Sequence, residues 1–128
     1  MISISSKFSF EAAHHLPMYP GPCANVHGHS YKLKVGITSS TLDERCMVLD
    51  YRYLRAIVHD NVLALLDHKD LNTIFDMPTA EVMIEWVAKR LQAALPTDVL
   101  LEYVTLSETE DNAAEWTPEE LVTLDCEV

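Results

Sequence analysis

The chain has 128 residues, close to the size of one domain, and 48% of them are hydrophobic, enough to fill a single core. Its formal net charge of −11 argues against a nucleic-acid partner and against an anionic membrane surface. The longest apolar run, around Val62 to Leu66, is far too short for a membrane span, and no glycine-rich phosphate loop, dinucleotide fingerprint or Gly-x-Ser-x-Gly elbow is present.

Met1 to Lys7 lacks the basic and then apolar regions of a signal peptide, and Cys23, Cys46 and Cys126 form an odd set with no motif spacing. A reducing, cytoplasmic setting is therefore expected. From Ile2 to His14 the pattern alternates, with Ile2, Ile4, Phe8, Phe10, Ala12 and His14 on one side of a half-buried strand. Leu16 to Asn25 holds Pro17, Pro20, Gly21 and Pro22 and must be a loop. A second strand follows from about Val26 to Thr38, with His27, His29, Tyr31, Leu33, Val35 and Ile37 sharing a face. Met47 to Leu49 suggests a further short strand. Asp50 then caps a helix whose stripe is Leu54, Ile57, Val58, Val62, Leu65 and Leu66. Pro78-Thr79 opens a second helix, with Glu81 in its first turn and an apolar stripe from Met83 to Leu95. Val99 to Glu108 alternates as a third strand, with Leu100, Val104, Leu106 and Glu108 on one parity, and Ala113 to Trp116 forms a fourth. Thr117-Pro118-Glu119-Glu120 reads as a short helical turn. Ten of the twenty acids follow Arg90 and no Lys or Arg does, which makes 117–128 an acidic extension of one domain covering 1–128. Two strands, two helices and two strands make an α+β fold with both helices on one face of an antiparallel sheet.

Three groups of residues carry chemistry. His27 and His29 point the same way from one strand, roughly 6–7 Å apart, and His14 lies on the apolar side of another strand. A core histidine explains His14 alone. Together the three suit zinc with a fourth position open, the arrangement of a catalytic site. Asp67-His68 follows a helix end, where irregular backbone lets a carboxylate orient the imidazole next to it as a proton carrier; an ordinary surface pair explains it as well. Glu108 ends a strand on the apolar parity, either in solvent or holding two parallel N–H groups of a guanidine-like ring.

Five ordered motifs give these groups a context. They are Phe10-Glu11-Ala12-Ala13-His14, Cys23-x₃-His27-Gly28-His29, Leu66-Asp67-His68-Lys69-Asp70-Leu71-Asn72, Pro78-Thr79-Ala80-Glu81 and Ser107-Glu108-Thr109. Over roughly residues 4–116 the chain resembles the 6-pyruvoyltetrahydropterin synthase / 6-carboxytetrahydropterin synthase family. The resemblance implies a tunnelling (T-fold) subunit: a four-stranded antiparallel sheet with two helices between strands two and three. It implies trimers stacked into homohexamers, with active sites at subunit interfaces. It further implies Zn²⁺ on His14, His27 and His29, Glu108 as anchor of the pterin ring, Cys23 as general base, and Asp67 with His68 as a second proton-transferring pair. The three residues between Cys23 and His27 resemble the carboxy-forming branch of the queuosine pathway, since the animal-type pyruvoyl-forming enzymes usually carry a longer insertion there. That branch converts 7,8-dihydroneopterin triphosphate and water to 6-carboxytetrahydropterin, acetaldehyde and triphosphate. Val82 departs from the family pattern, in which many relatives carry Asn. A pyruvoyl-forming synthase and a non-catalytic zinc–pterin binding protein are the alternatives, and Lys7, Lys32, Lys34, Arg52 and Lys69 are the candidate cations for the triphosphate.

Overall fold

The computed structural model describes residues 1–119. Strand β1 (Ile2–His14) runs into a loop closed by the Leu16 N–H donating to the Cys23 carbonyl at 2.8 Å, with a 3-10 turn at Pro22–Ala24. Strand β2 (His27–Ser39) returns antiparallel to β1 in a register that sets His14 opposite His27 and Ala12 opposite His29. Helix α1 (Tyr51–Val58), a π-helical turn (His59–Leu63) and α2 (Ala64–Leu66) follow as one rod, begun by the Asp50 carboxylate accepting from the Arg52 N–H at 2.9 Å. Strand β3 (Lys69–Asp70), a 3-10 turn (Leu71–Thr73), helix α3 (Ala80–Ala94), β4 (Leu100–Ser107) and β5 (Ala113–Trp116) complete the order. Thr79 Oγ1 caps α3 by accepting from the Val82 N–H.

The sheet order is β3-β1-β2-β4-β5. The four long strands form the expected antiparallel sheet, and the two-residue β3 adds a parallel edge beside Ala12 and Ala13. One parity of β1 and β2 (Phe8, Phe10, Ala12, Tyr31, Leu33, Val35, Ile37) packs with Leu54, Val58, Val62 and Leu66 of the rod and Met83, Ile84, Val87, Ala88 and Leu91 of α3 in a single core. Both helices thus cover one sheet face and leave the other open. No helix among the described residues is long and apolar enough to cross a membrane.

Four local expectations are corrected. Met47–Leu49 is not a strand. Leu65 is 39% exposed, because the π turn advances more residues per turn and hands the inward position to Leu66 after Val58 and Val62. Leu101, 5% exposed, faces the core in place of Leu100, 55% exposed. The cause is a bulge: Gly36 pairs with Tyr103 and Ile37 with Leu101, so the parity of β4 reverses there. The Tyr103 ring lies over Gly36, where an added Cβ would come within 2.2 Å of it. Finally, Thr117 to Glu119 is not helical, and Glu120, like the rest of the acidic extension (120–128), lies outside the described residues.

Candidate metal centre and active site

The β1–β2 register carries the period-two alternation of both strands into three dimensions. His14, His27 and His29 share a face, and their ring centroids lie 4.7–5.0 Å apart. One nitrogen from each falls in a group spanning at most 4.8 Å. His14 is 1% exposed, and its Nδ1–H donates to the Pro78 carbonyl at 2.8 Å. His27 donates through Nδ1 to the Asn25 carbonyl at 2.7 Å. Each bond fixes a tautomer and leaves Nε2 with its lone pair, as in metal-ligating histidines. His29 Nε2 is buried without any hydrogen-bond partner.

Glu108, in the first position past β4, brings its Oε2 to 3.5 Å from His14 Nε2 and 3.9 Å from His29 Nε2. Lone pairs therefore face lone pairs in a partly buried space, an arrangement that a cation resolves and that is costly without one. Burial, with help from the neighbouring His14 and His27 imidazoles, holds His29 below the usual histidine pKa, while Glu108 pulls the other way. A neutral imidazole is the form that binds metal. Tyr31, beneath the cluster with its hydroxyl 3.4 Å from His14 Nδ1, has its pKa raised by burial and then by the Glu108 charge. Buried nitrogens, fixed tautomers and a carboxylate fit a divalent cation such as zinc. Cys23 stands outside this group, partly buried in the Pro22–Ala24 turn.

Beside the cluster, Glu108 lines a cavity of about 220 Å³ together with Leu16, Thr79, Glu81 and Asn112. The Glu108 N–H donates to the Asn112 carbonyl at 3.0 Å, which closes the β4–β5 turn and fixes Glu108 in the cavity wall.

Asp67 and His68 form the expected pair, with Oδ1 and Nδ1 3.0 Å apart, and His68 takes a left-handed backbone (φ 61°) that lets adjacent side chains meet. Asp67 Oδ1 also accepts from the Glu11 N–H at 2.9 Å, the main reason its pKa lies below the usual carboxylate range. The His68 ring, however, opens on a cavity of about 510 Å³ lined by Glu11, Ala12, Ala13, Gly28, His29 and Ser30. Glu11, Ala13, Gly28 and Ser30 alternate to the sheet face opposite the imidazole side chains, whereas Ala12 and His29 have the imidazole parity. One chain therefore brings His14, His27, His29 and Glu108 together, and opens His68 mainly toward the other sheet face, on a cavity that His29 also lines.

One positioning device was not read from the sequence. The Asn72 side chain accepts from the His15 N–H at 2.9 Å and donates to the His15 carbonyl at 3.0 Å. It acts as one further rung of the β3 pairing and pins the backbone next to His14. Asn72 closes the Leu66–Asn72 motif, yet an amide acting as a strand partner leaves no periodic trace.

Comparison with known proteins places this geometry. The family model described as 6-pyruvoyl tetrahydropterin synthase matches residues 3–119. The chain belongs to that family. Among curated relatives, it is 38% identical over 97 residues to the 6-carboxy-5,6,7,8-tetrahydropterin synthase of Synechocystis, covering 71% of this chain and 75% of that protein. It is 35% identical over 100 residues to the dihydroneopterin monophosphate aldolase of Pyrococcus furiosus, covering 78% and 83%. The solved Caenorhabditis elegans 6-pyruvoyl tetrahydropterin synthase superposes with a TM-score of 0.79 at 25% identity, covering 92% of this chain and 96% of that one. The T-fold expected from the motifs is thus the fold found, with β3 as an added edge strand.

Proposed function

We propose that the protein is a zinc-dependent lyase that converts 7,8-dihydroneopterin triphosphate and water to 6-carboxy-5,6,7,8-tetrahydropterin, acetaldehyde and triphosphate, a step of queuosine biosynthesis. The observation that carries this reading is the gathering of three imidazole nitrogens beside Glu108, which also lines the 220 Å³ cavity. The relatives named as carboxytetrahydropterin synthases, one of them 38% identical, support the choice of product.

Zinc on His14, His27 and His29 would acidify the hydroxyls of the substrate side chain and polarise the developing carbonyl. The residues supply the rest. Glu108, fixed by the β4–β5 turn, accepts the parallel ring N–H groups and so sets the side chain over the imidazoles. Cys23, partly buried in the Pro22–Ala24 turn, takes one proton of the substrate side chain as general base. His68, oriented by Asp67, carries the second proton of the redox-neutral rearrangement. Because the His68 ring opens mainly toward the sheet face opposite the imidazole side chains, the complete site is assembled between copies of a homohexamer, with His68 delivered by a neighbour. The cytoplasm is the expected location.

A second reading rests on the Pyrococcus furiosus relative, whose name is dihydroneopterin monophosphate aldolase. Mass spectrometry of products formed by the zinc-loaded protein separates the two. The proposal expects 6-carboxytetrahydropterin and acetaldehyde from the triphosphate. A pyruvoyl product without acetaldehyde, or cleavage of the monophosphate alone, would overturn it.

A further inference from the structure

His14 has two ways to place its ring proton. Nδ1 lies 2.8 Å from the Pro78 carbonyl and 3.4 Å from the Tyr31 hydroxyl, and Nε2 lies 3.5 Å from Glu108 Oε2. Two neutral tautomers therefore compete. With the proton on Nδ1, the ring donates to Pro78 and turns a bare Nε2 toward the other imidazoles. With the proton on Nε2, the ring faces Glu108 as a donor, and the bare Nδ1 accepts from the Tyr31 hydroxyl. The second form hides the nitrogen that a metal needs. The Pro78 carbonyl decides between them, because a carbonyl oxygen only accepts, whereas a hydroxyl can accept or donate.

That carbonyl belongs to the turn that starts α3. The Thr79 carbonyl is the first acceptor of the helix, meeting the Met83 N–H at 3.0 Å, so the Pro78 carbonyl stands just outside the helical ladder. Its direction is set in three ways. The Pro78 ring holds φ at about −65°. The Thr79 N–H donates to the Met77 carbonyl at 2.9 Å and closes a three-residue turn centred on Pro78. Thr79 Oγ1 accepts from the Val82 N–H at 3.2 Å and ties that turn to the helix. Val82 stands where a capping box would place Glu or Gln, and its side chain cannot reach back for the Thr79 N–H, which is left to the turn. Pro78 is buried, whereas Met77 is 39% exposed and Thr79 half-buried, so these few bonds hold the turn at the edge of the core.

We infer that Thr79 and Pro78 are positioning residues for the metal ligand His14. The turn they close holds the Pro78 carbonyl against Nδ1 and keeps the imidazole in the tautomer that binds metal. Thr79, Ala80 and Glu81 also line the cavity beside Glu108, so one piece of backbone builds the cavity wall and orients the metal ligand. This role belongs to the metal centre and does not depend on the reaction proposed above.

Nitrogen-15 NMR of the histidine rings in the full-length chain, stripped of metal by a chelator, reads the tautomers directly, since protonated and bare ring nitrogens resonate far apart. Wild-type His14 is expected to carry its proton on Nδ1. In Thr79→Ala the Nε2–H form should grow at His14, and zinc affinity in a chelator competition should fall about ten-fold. Thr79→Ser, which keeps the capping oxygen, should match the wild type in both. His27, whose Nδ1 donates to the Asn25 carbonyl, is the internal control and should not change. Adding Tyr31→Phe to Thr79→Ala should win back zinc affinity, because a bare Nδ1 then has no donor and the competing tautomer loses its support. Should Thr79→Ala not fold, Pro78→Ala gives the same comparison, since it keeps the carbonyl and frees its direction. Wild-type His14 protonated at Nε2 would overturn this role, as would Thr79→Ala with His14 and zinc affinity unchanged. So would His27 shifting in step with His14, or a double variant that binds zinc no better than Thr79→Ala. Absence of lyase product from the wild type, with the tautomer shift intact, would remove the proposed reaction alone.

Discussion

The two faces of the β1–β2 ribbon are made of the same residues in alternation, yet they do opposite things. One face packs under the helices and ends in three imidazoles, two of which, His14 and His27, have tautomers set by backbone carbonyls. The other stays open and carries His68, the Glu11–Ser30 pair and the lysines. Rigidity and exposure are thus divided within one strand pair. The covered face suits a fixed metal cage, and the open face suits groups that must meet something from outside the chain. If that division is right, substitutions on the two faces should fail in different ways.

The largest separation is expected between His68 and the metal ligands. His68→Ala should lower turnover about 10²- to 10⁴-fold, as the loss of a proton-transferring group does, while zinc content by metal analysis stays at the wild-type level. Cys23→Ala should behave alike, keeping zinc and losing turnover. His27→Ala should do the reverse and weaken zinc affinity on the order of a hundred-fold or more in a chelator competition. A metal-replete His27→Ala protein would break the comparison at its covered face.

A subtler effect is expected from Asn72→Ala. Both His15 backbone groups lose their partner, so zinc affinity should fall about ten-fold, within the range for supporting residues around a metal. Asn72→Asp, which keeps the acceptor but not the donor, should recover part of that loss. The smallest effect concerns acid. The Glu11 N–H holds the Asp67 carboxyl below its usual range, so the ionised form stabilises the fold fully above the ordinary value near 4 and loses that contribution as pH falls through the lower folded value. Asp67→Asn should flatten the melting temperature against pH in that acid window and leave it nearly unchanged at neutral pH.

Much of this was legible in the sequence for a definite reason. His14, His27 and His29 stand on period-two faces, and antiparallel pairing of neighbouring strands brings such faces together. The caps at Asp50 and Thr79 are local chemistry and were equally readable. What stayed hidden has no local period. β3 is two residues long and defined only by its pairing with Ala12 and Ala13. The inward turn of Leu101 depends on a bulge set across the sheet at Gly36 and Tyr103, and the exposure of Leu65 on a π turn. Asn72 imitates a strand partner with a side chain. The role given to Cys23 came from resemblance to a family, which also sharpened the residue-level reading of Asp67 with His68 as a proton-carrying pair; a single chain leaves Cys23 out of the imidazole group and opens His68 on a cavity whose lining includes His29.

The division of the site between two faces is tested most directly by mixing two inactive proteins. His27→Ala chains lack the metal cage and keep His68, whereas His68→Ala chains keep the cage and lack the proton carrier. Co-refolded or co-expressed and assayed for product by mass spectrometry, the mixture should regain a substantial fraction of wild-type turnover, because some sites will pair an intact cage with an intact His68 from another copy. A mixture as inactive as each variant alone would contradict the account.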